Sequence, residues 1–368
     1  LILASTGDTV QANGGNDTFQ LTGATALLDG GAGIDSVLQF TGDTQGRLQV
    51  DNNGDGLAQL IFATQGVSVD LRTNRIINDG FGGAGTILNV ENVGGSTLND
   101  TIFGNDGVDN VLTGFEGNDT LSGYGANDTL NGGAGNDTLN GGSGSDTATY
   151  ADETDAMFVD LLAGNARRGS ALAAIEDTLI SIENVIGGAG NDTITGTNGV
   201  NILSGGAGDD TIRGAGAADQ LRGDAGNDTF VYAIGDGADA IDGGADSDTL
   251  SISGGVANDT LDVIFDGVSL TKAENATLTN IEIVTANLGD GVDTLTYAGS
   301  AAAVSVVLAA GSASGFAAIA GIENVTGGNG DDSLSGDNLA NVLNGGNGND
   351  TLEGGAGNDT LTGGGGID

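Results

Sequence analysis

Along residues 114–149 one small or aliphatic side chain recurs at every ninth position, Leu121, Leu130, Leu139 and Ala148, and two places before each stands an acid. The acids are Asp119, Asp128, Asp137 and Asp146, within units reading GFEGNDTLS, GYGANDTLN, GGAGNDTLN and GGSGSDTAT. In the last three positions of a unit, such as Thr138, Leu139 and Asn140, one inward side chain lies between two outward ones, the alternation of a very short strand. The first four positions are rich in glycine, which tolerates the positive φ of tight reversals. A unit with so little apolar surface buries it only by stacking on its neighbours, so the period predicts a solenoid. Two units make one coil with a strand on each side, which places residues eighteen apart roughly 4.8 Å from each other, the spacing of paired strands. Asp119 then stacks on Asp137, and Asp128 on Asp146.

The same register recurs along the chain. Degenerate repeats around Asp17 and Asp35 occupy 1–38, a strand-rich segment follows over 39–93, and the array described above spans 94–149, opening with Asp100 and an irregular unit at Asn110. A strand-rich linker, 150–186, leads to an array over 187–251 with Asp192, Asn201, Asp210, Asp219 and Asp228, placing Ile194, Leu203, Ile212, Leu221 and Phe230 inward, and with an outlying unit at Asp248. Another strand-rich segment, 252–326, precedes the last array, 327–368, with Asp332, Asn341, Asp350, Asp359 and Asp368. Pairs eighteen apart give ten candidate sites: 17/35, 110/128, 119/137, 128/146, 192/210, 201/219, 210/228, 332/350, 341/359 and 350/368. The three that contain Asn are expected to be weaker, because an amide offers an oxygen but no charge. Eighteen residues after Asp219 stands Gly237, so Asp219 is expected to share one site and Asp210 two.

The strand-rich segments resemble one another: Asp146–Leu161 matches Asp293–Leu308, Val67–Leu71 is a shorter copy, and each is followed by IENV or VENV at Val90, Ile182 or Ile322. Strands are expected at Arg47–Val50, Leu57–Phe62, Val67–Leu71, Leu261–Phe265 and Ile281–Val284. The recurring Glu91, Glu183 and Glu323 read as structural carboxylates at the entry to each roll, since no His stands by as a partner base. DNNGDG at Asp51–Gly56 opens like an EF-hand loop, but Phe62 occupies the position that needs a bidentate Glu, so it reads as a hairpin turn. Ala301–Ile322 is apolar but mostly Ala, Ser and Gly, and reads as strand and turn, not a membrane span.

Stacked carboxylates repel, and the chain has only eight Lys plus Arg against 51 Asp plus Glu, so a bound cation is needed between them. Carboxylates with turn carbonyls make a flexible, many-oxygen site that suits Ca²⁺ better than Mg²⁺; zinc is disfavoured without His or Cys. Ten Ca²⁺ would change the net charge from −43 to −23, so the ions belong to the energetics of folding. Without them the Gly-rich, acidic composition, lacking Pro, Trp and Cys, is that of a disordered segment. The charge sets nucleic acid and anionic membranes aside as partners, and no disulfide is available as a staple.

GGAGNDTLN at Gly132–Asn140, in four consecutive registered copies, resembles the nonapeptide of the repeats-in-toxin (RTX), or hemolysin-type calcium-binding repeat, family. The resemblance implies an all-β fold, a right-handed parallel β-roll or β-helix solenoid in several arrays interrupted by strand-rich segments, with Ca²⁺ held between turns by the sixth-position acids and turn carbonyls. It further implies a secreted, extracellular or cell-surface protein that meets a type I secretion exporter. The chain starts at Leu1 without Met and stops at Asp368 inside a repeat, so it reads as an excised piece that continues to a C-terminal export signal. The expected function is a non-catalytic module that folds on calcium outside the cell. The alternatives are a surface adhesin or surface-layer rod that self-associates or attaches to cells, and the non-catalytic part of an exported enzyme. No catalytic residues are assigned: without His or Cys, metalloprotease, haem-His and triad chemistry are absent.

Overall fold

The computed structural model describes residues 65–79, 84–170 and 173–368, together with the backbone of five short strands, Ile2–Ala4, Thr9–Gln11, Thr18–Leu21, Leu27–Asp29 and Ser36–Val37. Asp17, Asp35, the Asp51–Gly56 turn and the strands expected at Arg47–Val50 and Leu57–Phe62 lie outside the described residues. The chain forms two units, 1–186 and 187–368. Both are all-β, the one helical element described being the 3-10 turn Leu308–Ala310.

In the first unit the repeats wind into two parallel ladders. One runs Asn92–Gly94, Val111–Glu116, Thr129–Ala134, Thr147–Thr149 and Asn184–Ile186, with Thr129 paired to Thr147. The other runs Val67–Asp70, Thr101–Phe103, Thr120–Gly125, Thr138–Ser143 and Asp177–Ile180, with Leu121 paired to Leu139. Partners eighteen residues apart are what a two-strand coil requires. Leu112, Leu121, Leu130, Leu139 and Ala148 are completely buried, one per short strand, in columns between the ladders. The core is that narrow because a three-residue strand has a single inward position and the six-residue strands of these ladders put a glycine, such as Gly132 or Gly141, at their second one.

The second unit repeats the plan. Thr193–Thr195, Thr211–Arg213, Thr229–Ala233, Thr249–Ser253 and Ile283–Asn287 stack on one side. Ile202–Ala207, Gln220–Ala225, Ala240–Ala245 and Ala276–Thr279 stack on the other. Further along, Asn324–Thr326, Val342–Asn347 and Thr360–Gly365 form one ladder, and Ser305–Val307, Ser333–Ser335 and Thr351–Glu353 another.

The strand-rich segments carry rungs of these ladders and do not break them. Asp177–Ile180 stacks on Thr138–Ser143, and the antiparallel hairpin Met157–Asp160 with Asn165–Arg168 is spliced into the coil between. Val67–Asp70 with Arg75–Asp79, and Thr260–Phe265 with Leu270–Ala273, are spliced in likewise. The apolar stretch near the end is strand and turn, Ser305–Val307, Ser312–Ala313 and Ala318–Ala320. Among the described residues no helix is long and apolar enough to cross a membrane.

Glycine is required where loops stack. Gly135 has φ +148°, and a Cβ there would run into the carbonyl oxygen of Gly117 one coil earlier. The buried column is equally exacting. Leu139→Ala in the calcium-saturated chain should cost about 2–5 kcal/mol by chemical denaturation, against about 0.5 kcal/mol or less for Val200→Ala at an exposed loop position. Indistinguishable denaturation curves would show that the column is not the core.

Candidate metal centres

Each sixth-position acid ends a loop and precedes a strand, so strand stacking determines what it meets. Nine of the ten pairs spaced by eighteen lie in the described residues, and all nine are joined alike. The backbone N–H of the first residue donates to the side-chain Oδ1 of the second: Asn110 to Asp128, Asp119 to Asp137, Asp128 to Asp146 and Asp192 to Asp210 at 2.7 Å. Asn201 to Asp219 and Asp210 to Asp228 follow at 2.8 Å, Asp332 to Asp350 at 2.9 Å, Asn341 to Asp359 at 3.0 Å and Asp350 to Asp368 at 3.1 Å. A carboxylate thus grips the main chain of the coil before it.

The same bond joins acids at other spacings: Asp100 to Asp119 (2.7 Å), Asp137 to Asp177 (3.0 Å), Asp219 to Asp239 (2.9 Å), Asp228 to Asp248 (2.8 Å) and Asp259 to Asp293 (2.6 Å). This corrects one expectation. Asp239, not Gly237, follows Asp219, so Asp219 lies between two rungs just as Asp210 does. Two extra residues are absorbed in the turn after Thr229–Ala233, where the Ala233 N–H donates to Asp236 Oδ2, and the strands keep Gln220 opposite Ala240.

Asp177, Asp239, Asp259 and Asp293 escape a strict count of nine. Their signal is the aliphatic residue two places on, Leu179, Ile241, Leu261 and Leu295, and in three of the four an Asp-Thr-Leu triplet. The glutamates have a related place: Glu183, Glu282 and Glu323 accept the N–H of Asp146, Asp248 and Asp293 through Oε2, each at 2.9 Å. They occupy the rung after the last Asp because the longer side chain reaches it from a hinge strand. Glu323 also accepts the Asn341 side-chain N–H at its carbonyl (2.9 Å), so one hinge closes a stack and opens the next.

The second carboxylate oxygen gives these rungs their chemistry. In Asp119, Asp128, Asp137, Asp146, Asp210, Asp219, Asp228, Asp248, Asp293 and Asp350, Oδ2 is buried without a hydrogen-bond partner. Buried polar atoms are rarely left so, because desolvation goes uncompensated. Burial pushes the Asp119 carboxyl up to about 8 and that of Asp210 up to about 7, with neighbouring rung acids adding like charge. Asp128, Asp219 and Asp228 are pushed to about 6 for the same reason. The ion pairs Arg72–Asp70, Arg168–Glu153, Arg168–Glu176, Arg213–Asp236 and Lys272–Asp262 include none of these ten acids.

Turn carbonyls share the same space. A Cβ on Gly114 would collide with Asp119 Oδ2 and lie 2.6 Å from the carbonyl oxygen of Gly132 one coil on. One on Gly345 would collide with Asp350 Oδ2 and lie 2.5 Å from the Gly363 carbonyl oxygen. Among the described residues no three acids converge on one point. The available donor set is therefore one carboxylate per coil plus main-chain oxygens, all hard ligands, which fits Ca²⁺ and gives Zn²⁺ nothing it prefers. Asp177 departs from the pattern. The Tyr150 hydroxyl donates to its Oδ2 at 3.0 Å, a proton donor in the position where the ten acids named above have none.

The family description "RTX calcium-binding nonapeptide repeat" matches residues 95–116, 113–148, 181–207, 195–230, 235–250, 319–338 and 335–368. The chain carries RTX calcium-binding nonapeptide repeats in several arrays. Its matched segments contain every one of the ten unpartnered acids except Asp293, which lies in a hairpin-bearing coil outside them. A search of curated proteins finds no match to the chain. The RTX repeats are calcium-binding and form the β-roll ladders described above.

Proposed function

We propose that this chain is a calcium-driven folding module of an exported protein, with ions held between successive coils by the interior rung acids. The observation that carries this reading is the set of ten buried carboxylate oxygens without a partner, stacked against turn carbonyls and bypassed by Lys and Arg. Each ion would be shared by two coils, so binding and stacking are one process. The repeats suit a protein that passes a type I exporter unfolded and folds where calcium reaches about 10⁻⁴ to 10⁻³ M, the range of extracellular modules. The module acts without catalysis of its own, consistent with a sequence that has neither His nor Cys.

Equilibrium dialysis of the full chain tests this directly. Several Ca²⁺ should bind per chain, and Mg²⁺ at the same concentration should not displace them, because Mg²⁺ demands strict octahedral geometry. A chain that takes up no calcium, or takes up both ions equally, would overturn the assignment.

A further inference from the structure

We infer that the first rung of each stack is an ion-free cap, and that calcium is taken only from the second rung onward. The inference rests on the proposed binding by interior acids and separates rungs that the nine-residue motif treats as equivalent.

Gly132–Asp137 and Gly187–Asp192 have the same sequence, GGAGND. In the first, an interior rung, Gly133 and Gly135 have φ +86° and +148°, and Asp137 Oδ2 has no partner. In the second, which opens its array, neither glycine is in the left-handed region, and the Gly188 N–H donates to Asp192 Oδ2 at 2.8 Å. The loop has turned a main-chain donor onto the oxygen that an interior rung leaves free. Asp259 and Asp332 are closed in the same way by the N–H groups of Gly255 (2.8 Å) and Gly328 (2.6 Å), and Asp100 by that of Ser96.

The distribution of amides is a second, independent observation. Asn110, Asn201 and Asn341 are all opening rungs. Their Oδ1 atoms accept the loop N–H of Asn105 (2.8 Å), Thr197 (2.7 Å) and Asp337 (2.8 Å). Among the described residues every interior rung of these arrays is an acid. An amide oxygen accepts an N–H as a carboxylate does but brings no charge to a cation. Asn is therefore found where an N–H is the partner and is missing where the oxygen has none. Physically, an opening loop has no preceding nonapeptide loop of its own array against which to extend, so it folds onto its own acid and satisfies it without an ion.

The test is the number of bound ions, read by native mass spectrometry of the calcium-loaded full chain. Asp192→Asn should bind as many ions as the parent, with a calcium midpoint for folding unchanged within about twofold. Asp210→Asn should bind fewer. Asn201→Asp, at a position that tolerates either side chain, should gain no ion, which keeps the idea testable even if Asp210→Asn fails to fold. An ion lost in Asp192→Asn or gained in Asn201→Asp would overturn the cap assignment and leave calcium binding by the interior rungs standing. A parent chain without bound calcium would instead defeat the reading on which the inference rests.

Discussion

Excess chelator at neutral pH should abolish most of the β-sheet circular dichroism of the chain, and restoring millimolar Ca²⁺, but not Mg²⁺, should bring it back. The reason is a balance of burial against repulsion. Each coil contributes only a narrow apolar column, such as Leu121 over Leu139, while its rung acids are brought together in low dielectric outside the ion pairs that Lys and Arg make. Self-repulsion across a chain of net charge −43 adds to this. An ion between coils offsets both terms at once, and because the site does not exist in an unstacked chain, its binding free energy is folding free energy. A full β spectrum in chelator would mean that hydrophobic stacking alone suffices.

Acidification should partly replace calcium. In the ion-free fold the Asp119 and Asp210 carboxyls are raised to about 8 and about 7, from an ordinary value of 3.8, chiefly by burial. The folded chain then binds more protons than the unfolded one between these limits. The stability contributed by these groups is therefore fully present below the unfolded value and is lost as pH rises through the folded values. In chelator, β structure should grow as pH is lowered from about 8 to about 5. With calcium present the sign reverses for binding: protons compete for the same oxygens, so the calcium midpoint should rise as pH falls. Circular dichroism at several pH values, with and without chelator, reads both effects. A β signal in chelator that shrinks on acidification would show that the rung acids do not set the balance.

Much of this protein is legible in its residues. A small or aliphatic residue two places after an acid, repeated every nine, dictates one inward side chain per strand, and the eighteen-residue coil, the two ladders and the stacking of Asp119 on Asp137 all follow from it. The excess of acid over base already requires a cation. The limits are local and physical. Counting by eighteen puts Gly237 after Asp219, yet Asp239 is there, because strand pairing holds Gln220 to Ala240 and pushes the two extra residues into a turn. Ladder hydrogen bonds hold register more firmly than sequence distance does. The hinge residues Glu183, Glu282 and Glu323 are visible as glutamates, but only the fold shows them reaching back to close a stack. Gly132–Asp137 and Gly187–Asp192 mark the boundary most clearly. Their sequence is one, and it specifies an acid behind a flexible loop in both. Whether that loop extends against a preceding array loop and leaves the acid an oxygen for an ion, or turns inward and donates its own N–H, depends on the coil beneath it, which six residues cannot encode.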